Sequence, residues 1–165
     1  MNIRENASSR EKVFRAFSRI FDGKTIIVGA GNILRGDDAF GPVLVEKLNG
    51  RTSALLIDAG SAPENYLGKI VKEKPDTVVI ADAAHLGLDP GEYDILEKKD
   101  MAGAGFTTHD LSPAMFIEYL ERETKADIWM LAVQAENIDL GSEMSDSVKR
   151  ALNEITELIE EALGG

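Results

Sequence analysis

The chain of 165 residues contains no cysteine. That absence excludes disulfides, thiolate metal sites and cysteine nucleophiles together, and it leaves His, Asp and Glu as the side chains able to ligate a metal. Histidine is itself scarce, with two copies, His85 and His109. No apolar run is long enough to span a bilayer, and the opening MNIRENASSREKVFRAFSRIFDG holds no stretch of signal-peptide length, so a cytoplasmic protein is expected. Positive charge is short as well. Eighteen lysines and arginines stand against 29 acids, for a net charge of -11. That balance argues against nonspecific nucleic-acid binding or an anionic membrane surface, both of which need basic patches. Repeats, low-complexity tracts and linkers are also missing, so the chain reads as one domain large enough for a real core.

What is present alternates between two patterns. The apolar runs TIIVGA, ALLIDAG, DTVVIADAA and ADIWMLAVQ lack polar alternation, as strands of a parallel sheet covered on both faces do. A weaker alternation in EYDILEK fits an edge strand. Between them lie helical patterns. The first is capped by Ser8 or Ser9 and ends at Gly23; the others are FGPVLVEKLNG, APENYLGKIVKEK with Pro63 near its first turn, SPAMFIEYLERET behind a serine–proline cap, and a last helix capped by Ser145. Strands alternating with helices predict an α/β domain with a twisted, mostly parallel five-stranded sheet. In such sheets ligands bind beyond the carboxyl ends of the strands. That rule directs attention to the loops GAGNILRGDDAFGP, DAGSAPEN, ADAAHLGLDPG and QAENIDLGSEMS, and to GAGFTTHDLSP, which leads into a helix.

The first loop begins like a dinucleotide fingerprint, with Gly29 and Gly31 after a strand. The third glycine position, however, is Leu34. The helix is predicted to start near Phe40, too late to hold a pyrophosphate, and Asp37 and Asp38 would repel one. A turn needing positive φ accounts for both glycines. A phosphoacceptor receiver domain, with Asp82 as its aspartate, fails because VQAEN supplies no lysine after the last strand. No G-x-S-x-G elbow is present and Ser61 has no evident base. Glycosidase chemistry lacks aromatic sugar platforms, since the single tryptophan, Trp129, falls in a strand. Carboxylates at strand ends are Asp37, Asp38, Asp58 and Asp82. Taken alone, Asp58 could simply cap the next turn and Asp38 the following helix. Together, Asp38, Asp58 and His109 could converge at one sheet edge as an oxygen, oxygen, nitrogen set suited to zinc or nickel with positions left open. Asn32 is expected to brace its loop through side-chain hydrogen bonds to backbone.

With VGAGNILRGDDAFGP, LLIDAGSAPE, VVIADAAHLGLDPGEY and TTHDLSP in that order, the chain resembles the nickel–iron hydrogenase maturation endopeptidases, which trim the C-terminal extension of the hydrogenase large subunit. The resemblance covers about residues 24–160. It implies a three-layer αβα sandwich over residues 24–165, with residues 1–23 as an N-terminal helical extension outside the match. It also implies that Asp38, Asp58 and His109 contact nickel delivered within the large-subunit precursor, with zinc or cadmium as stand-ins in the isolated protein. On this resemblance the protein tests whether nickel is present before cutting. The ion could polarise the scissile carbonyl and activate a water, or it could only dock the substrate while Asp38 acts as a general base. Asp37 is the expected orienting neighbour. His85 stands where family members often carry a small polar or acidic residue, and is either a supplementary ligand or a solvent-exposed side chain. The alternative from another class is a noncatalytic metal- or nucleotide-binding α/β assembly module.

Overall fold

The computed structural model describes residues 9–101, 104–106 and 112–164. Its elements run α1 (Ser9–Ile20), β1 (Thr25–Ala30), α2 (Phe40–Leu48), β2 (Leu55–Gly60), α3 (Leu67–Glu73), β3 (Thr77–His85), β4 (Tyr93–Leu96), β5 (Gly105–Phe106), α4 (Pro113–Glu123), β6 (Asp127–Gln134) and α5 (Asp146–Leu163). Short 3-10 turns, Gly36–Ala39 and Pro63–Tyr66, lead into α2 and α3. The sheet order is β2-β1-β3-β6-β4. β1 lies parallel to β2 and β3, and β3 parallel to β6, while β4 closes the edge antiparallel to β6.

Successive side chains on a strand point to opposite faces, and that alternation makes three layers. Ile27, Val79, Leu131 and Val133 face one core with Phe17 of α1, Leu44 of α2 and Ile155 of α5. Ile26, Val28, Ile80 and Met130 face the other with Ile70 of α3 and Phe116 and Leu120 of α4. A strand buried on both faces can be apolar throughout, which explains why TIIVGA carries no alternation. Helix α1 shares the first core through Val13, Phe17 and Ile20, and Lys12 pairs with Asp94 of β4 at 2.8 Å. The cap of α4 is as expected: the Ser112 hydroxyl accepts the Met115 N–H at 3.2 Å, with Pro113 in the first turn.

The five strands expected from the sequence are all present, and β5 adds a sixth. This two-residue strand pairs antiparallel with β3, Ala84 opposite Phe106 and His85 opposite Gly105. Pairing of β3 with β1 ends at Ala81, so β5 takes the side of β3 that β1 has left. Two residues in a glycine-rich segment leave no periodic trace, which is why the sequence reads as loop there. The third strand also runs further than its pattern implied, through His85. Asp82 is therefore not at a strand end. It is fully buried within β3, paired with Ala132, and its carboxylate accepts the Ala83 N–H at 2.9 Å.

Candidate functional site at the carboxyl edge of the sheet

Loop 31–39 connects β1 to α2, and its shape follows from two glycines with different duties. Gly31 has φ of +140°, and a Cβ there would collide with the backbone carbonyl of Asp38. Only glycine lets the loop fold back so closely. Gly29 does not need positive φ, contrary to the turn reading. It lies within β1, and a Cβ on it would strike the backbone carbonyl of Gly41, while a Cβ on Gly41 would strike the carbonyls of Ala30 and Ala81. The pair Gly29–Gly41 thus lets the first turn of α2 rest directly on the sheet. Close backbone approach is the other physical use of glycine in a strand.

Asn32 braces the loop as expected, its side-chain oxygen accepting the Leu34 N–H at 2.9 Å. Asp38 is fully buried in the 3-10 turn, and one of its carboxylate oxygens accepts the Asn32 N–H at 2.9 Å. The N-cap position of α2 is taken by Ala39, the residue after it. Asp58, by contrast, is exposed at the end of β2, opposite Gly29 across the β1–β2 ladder. Its Oδ1 accepts the Gly60 N–H at 3.1 Å. Gly60 in turn accepts the Gly31 N–H at 2.8 Å. A continuous chain of hydrogen bonds and covalent links therefore runs from Asp38 through Asn32, Gly31 and Gly60 to Asp58. It brings the two carboxylates to one edge of the sheet.

Asp37 is fully buried and faces elsewhere. Its Oδ2 accepts the backbone N–H groups of Glu136 and Asn137 at 2.8 and 2.9 Å, and its Oδ1 accepts the Ser145 N–H at 2.7 Å. The Ser145 hydroxyl donates to the same carboxylate at 2.9 Å. Two backbone bonds reinforce the join, Asp37 N–H to Asn137 oxygen at 2.9 Å and Gly141 N–H to Leu34 oxygen at 2.8 Å. Asp37 is thus an anchor that ties the β1–α2 loop to the β6–α5 loop, and Asp38 hangs from it. Sequence reasoning missed the role of Ser145, whose hydroxyl makes no helix cap bond and is engaged by Asp37 instead. No local signal links residues so far apart in the chain.

His109 lies outside the described residues. Among the described residues, no three His, Asp or Glu side chains are grouped to hold a metal ion. His85 is exposed at the end of β3, opposite Gly105. The neighbouring β3–β4 loop is held by Gln134, whose side-chain oxygen accepts the Leu86 and Leu88 N–H groups at 2.6 and 3.3 Å. Among the described residues, no helix is long and apolar enough to cross a membrane.

The family model of the HycI hydrogenase maturation proteases matches residues 42–162. The hydrogenase 3 maturation protease of Escherichia coli K12 is 32% identical over 138 residues, covering 82% of this chain and 88% of its own. A putative hydrogenase maturation protease of Methanocaldococcus jannaschii is 31% identical over 151 residues, covering 84% and 89%. The crystal structure of a nickel–iron hydrogenase maturation protease from Thermococcus kodakarensis superposes with a TM-score of 0.82 at 35% identity, covering 90% of this chain and 98% of that one. With the family model spanning most of the α/β domain, the chain belongs to the hydrogenase maturation proteases, and it is a peptidase.

Proposed function

We propose that the protein removes the C-terminal extension of a nickel–iron hydrogenase large-subunit precursor after nickel insertion, and that Asp38, Asp58 and His109 recognise the inserted nickel. The observation that carries this reading is the Gly31 N–H to Gly60 oxygen bond, which joins the loops of Asp38 and Asp58. The donor set suits the ion: carboxylate oxygen and imidazole nitrogen both ligate nickel. Each carboxylate has one oxygen oriented by a backbone N–H, Asp38 by Asn32 and Asp58 by Gly60. Oriented ligands hold a metal more strongly than free ones because the second shell removes rotational freedom. Nickel arrives as part of the substrate, so the free protein contributes an incomplete site that the loaded precursor completes. Zinc or cadmium is expected to bind the isolated protein in its place.

The test is a mass spectrum of the nickel-loaded precursor after incubation with the wild type and with Asp38→Asn, Asp58→Asn or His109→Ala. Loss of the C-terminal extension with the wild type and retention with each variant is the expected result. Partner binding without a change in precursor mass would instead favour the noncatalytic assembly module. Cleavage of a nickel-free precursor at the same rate would refute nickel recognition.

A further inference from the structure

Beside the carboxylate edge, a groove of about 620 Å³ opens between α2 and α5. It starts at Gly36 and Ala39, on either side of Asp37 and Asp38, and its floor is apolar, formed by Val43, Met144 and Leu152. Three large apolar side chains stand out on the two loops at its site end: Ile33, which itself lines the groove, is 66% exposed, Leu34 is 61% and Leu140 is 69%. These loops are joined to each other by the Gly141 N–H to Leu34 oxygen bond and by the Asp37 anchor, so the apolar rim is a fixed surface. A contiguous apolar patch held rigid next to a reaction site marks a place for a partner.

The charge along the groove identifies the chemistry of that partner. Lys47 of α2 and Lys149 of α5 line it, and neither ammonium has a carboxylate within 4.0 Å among the described residues. Lys47 only donates to the Asn153 side chain at 3.3 Å. Glu143, on the loop side, supplies an opposite charge at one end. In a chain of net charge -11, these two ammoniums outnumber the single carboxylate, Glu143, among the residues that line the groove. We propose that this groove docks a segment of the hydrogenase precursor in which apolar side chains stand next to a carboxylate: the apolar part covers Ile33, Val43 and Met144, and the carboxylate sits between Lys47 and Lys149. The inference rests on the peptidase reading above and gives it a second contact, away from the scissile bond.

Both lysines are exposed and outside the carboxylate site, so charge reversal leaves the fold intact. The experiment uses the full chain and the nickel-loaded precursor, with Lys47→Glu/Lys149→Glu beside the wild type. Binding is read by surface plasmon resonance over immobilised precursor, and cutting by mass spectrometry. The variant is expected to keep its thermal midpoint and kcat and to raise Kd and KM by about tenfold. Wild-type Kd is expected to rise as salt is increased from 50 to about 500 mM, and the variant's to fall, because reversal turns the attraction into a repulsion that salt also screens. Equal Kd for variant and wild type, or a variant Kd that still rises with salt as the wild type's does, overturns the groove. A fall in kcat at unchanged KM also overturns it, since a docking contact away from the reaction alters binding. If sedimentation shows a wild-type dimer that the variant abolishes, the occupant is a second copy and the proposal fails. A wild type that binds the precursor and never cuts it refutes the peptidase reading alone.

Discussion

The Asp37 carboxylate accepts the backbone N–H of Ser145 at 2.7 Å across 108 residues of sequence, and the Ser145 hydroxyl at 2.9 Å. This contact ties the loop that carries the neighbouring Asp38 to the β6–α5 loop. An anchor of this kind differs from a ligand in what its loss does. Asp37→Ala leaves three backbone N–H groups and a hydroxyl without their acceptor in a buried place. We expect a loss of about 4 kcal/mol in urea denaturation, together with loss of processing. Asp37→Asn keeps the volume and one acceptor oxygen, and should recover part of both.

Asp58 makes the opposite prediction. It is exposed and, among the described residues, bonded only to Gly60 two residues on, so Asp58→Asn should change stability by less than about 0.5 kcal/mol. Processing of the nickel-loaded precursor should fall by at least about tenfold, as when an oriented metal contact is lost. Urea midpoints beside a cleavage time course separate the two effects. An unchanged time course would remove Asp58 from the site.

How much of this could be seen beforehand depends on the range of the interaction. The five main strands and the helices follow from local apolar patterns, and so did the placing of Asp38 and Asp58 at the carboxyl edge. The Asx turn of Asn32 was also legible, because its partner, Leu34, is only two residues on in the chain. The bond between Asp37 and Ser145 was not, since no periodicity connects those positions. Gly29 was misread for a related reason: its constraint is the carbonyl of Gly41 from the next element, which a strand pattern does not contain.

Two glycine-to-alanine substitutions should differ in sign. A Cβ at Gly41 meets the carbonyls of Ala30 and Ala81, backbone atoms that cannot move aside. Gly41→Ala should therefore destabilise by about 2 kcal/mol or more. Gly68, in α3, has nothing within 4 Å of the added carbon and an ordinary helical backbone. Gly68→Ala should stabilise by about 0.5–1 kcal/mol, because alanine loses less backbone entropy in a helix. Thermal melts of the two variants check both signs.

The phenol of Tyr93 donates to Glu154 at 2.8 Å, joining β4 to α5. Burial, with the Glu154 hydrogen bond and its negative charge adding to it, holds the phenol protonated well above the ordinary tyrosine range. A group whose pKa is raised on folding contributes stability that is complete below the unfolded pKa of about 10 and declines as pH rises through the folded value. The wild type should thus lose stability between pH 9 and about 11, and Tyr93→Phe should lose less over the same interval. Urea titrations at the two pH values measure the difference.

The Asp37 anchor also fixes when the site can exist. Its partners Glu136, Asn137 and Ser145 come from the last part of the chain, so the entropy of closing a very long loop is spent before Asp38 is held in place. During synthesis the carboxylate edge is assembled only after β6 has joined the sheet and the turn before α5 has emerged. A partly made chain therefore carries Asp38 and Asp58 without the arrangement that the completed fold gives them.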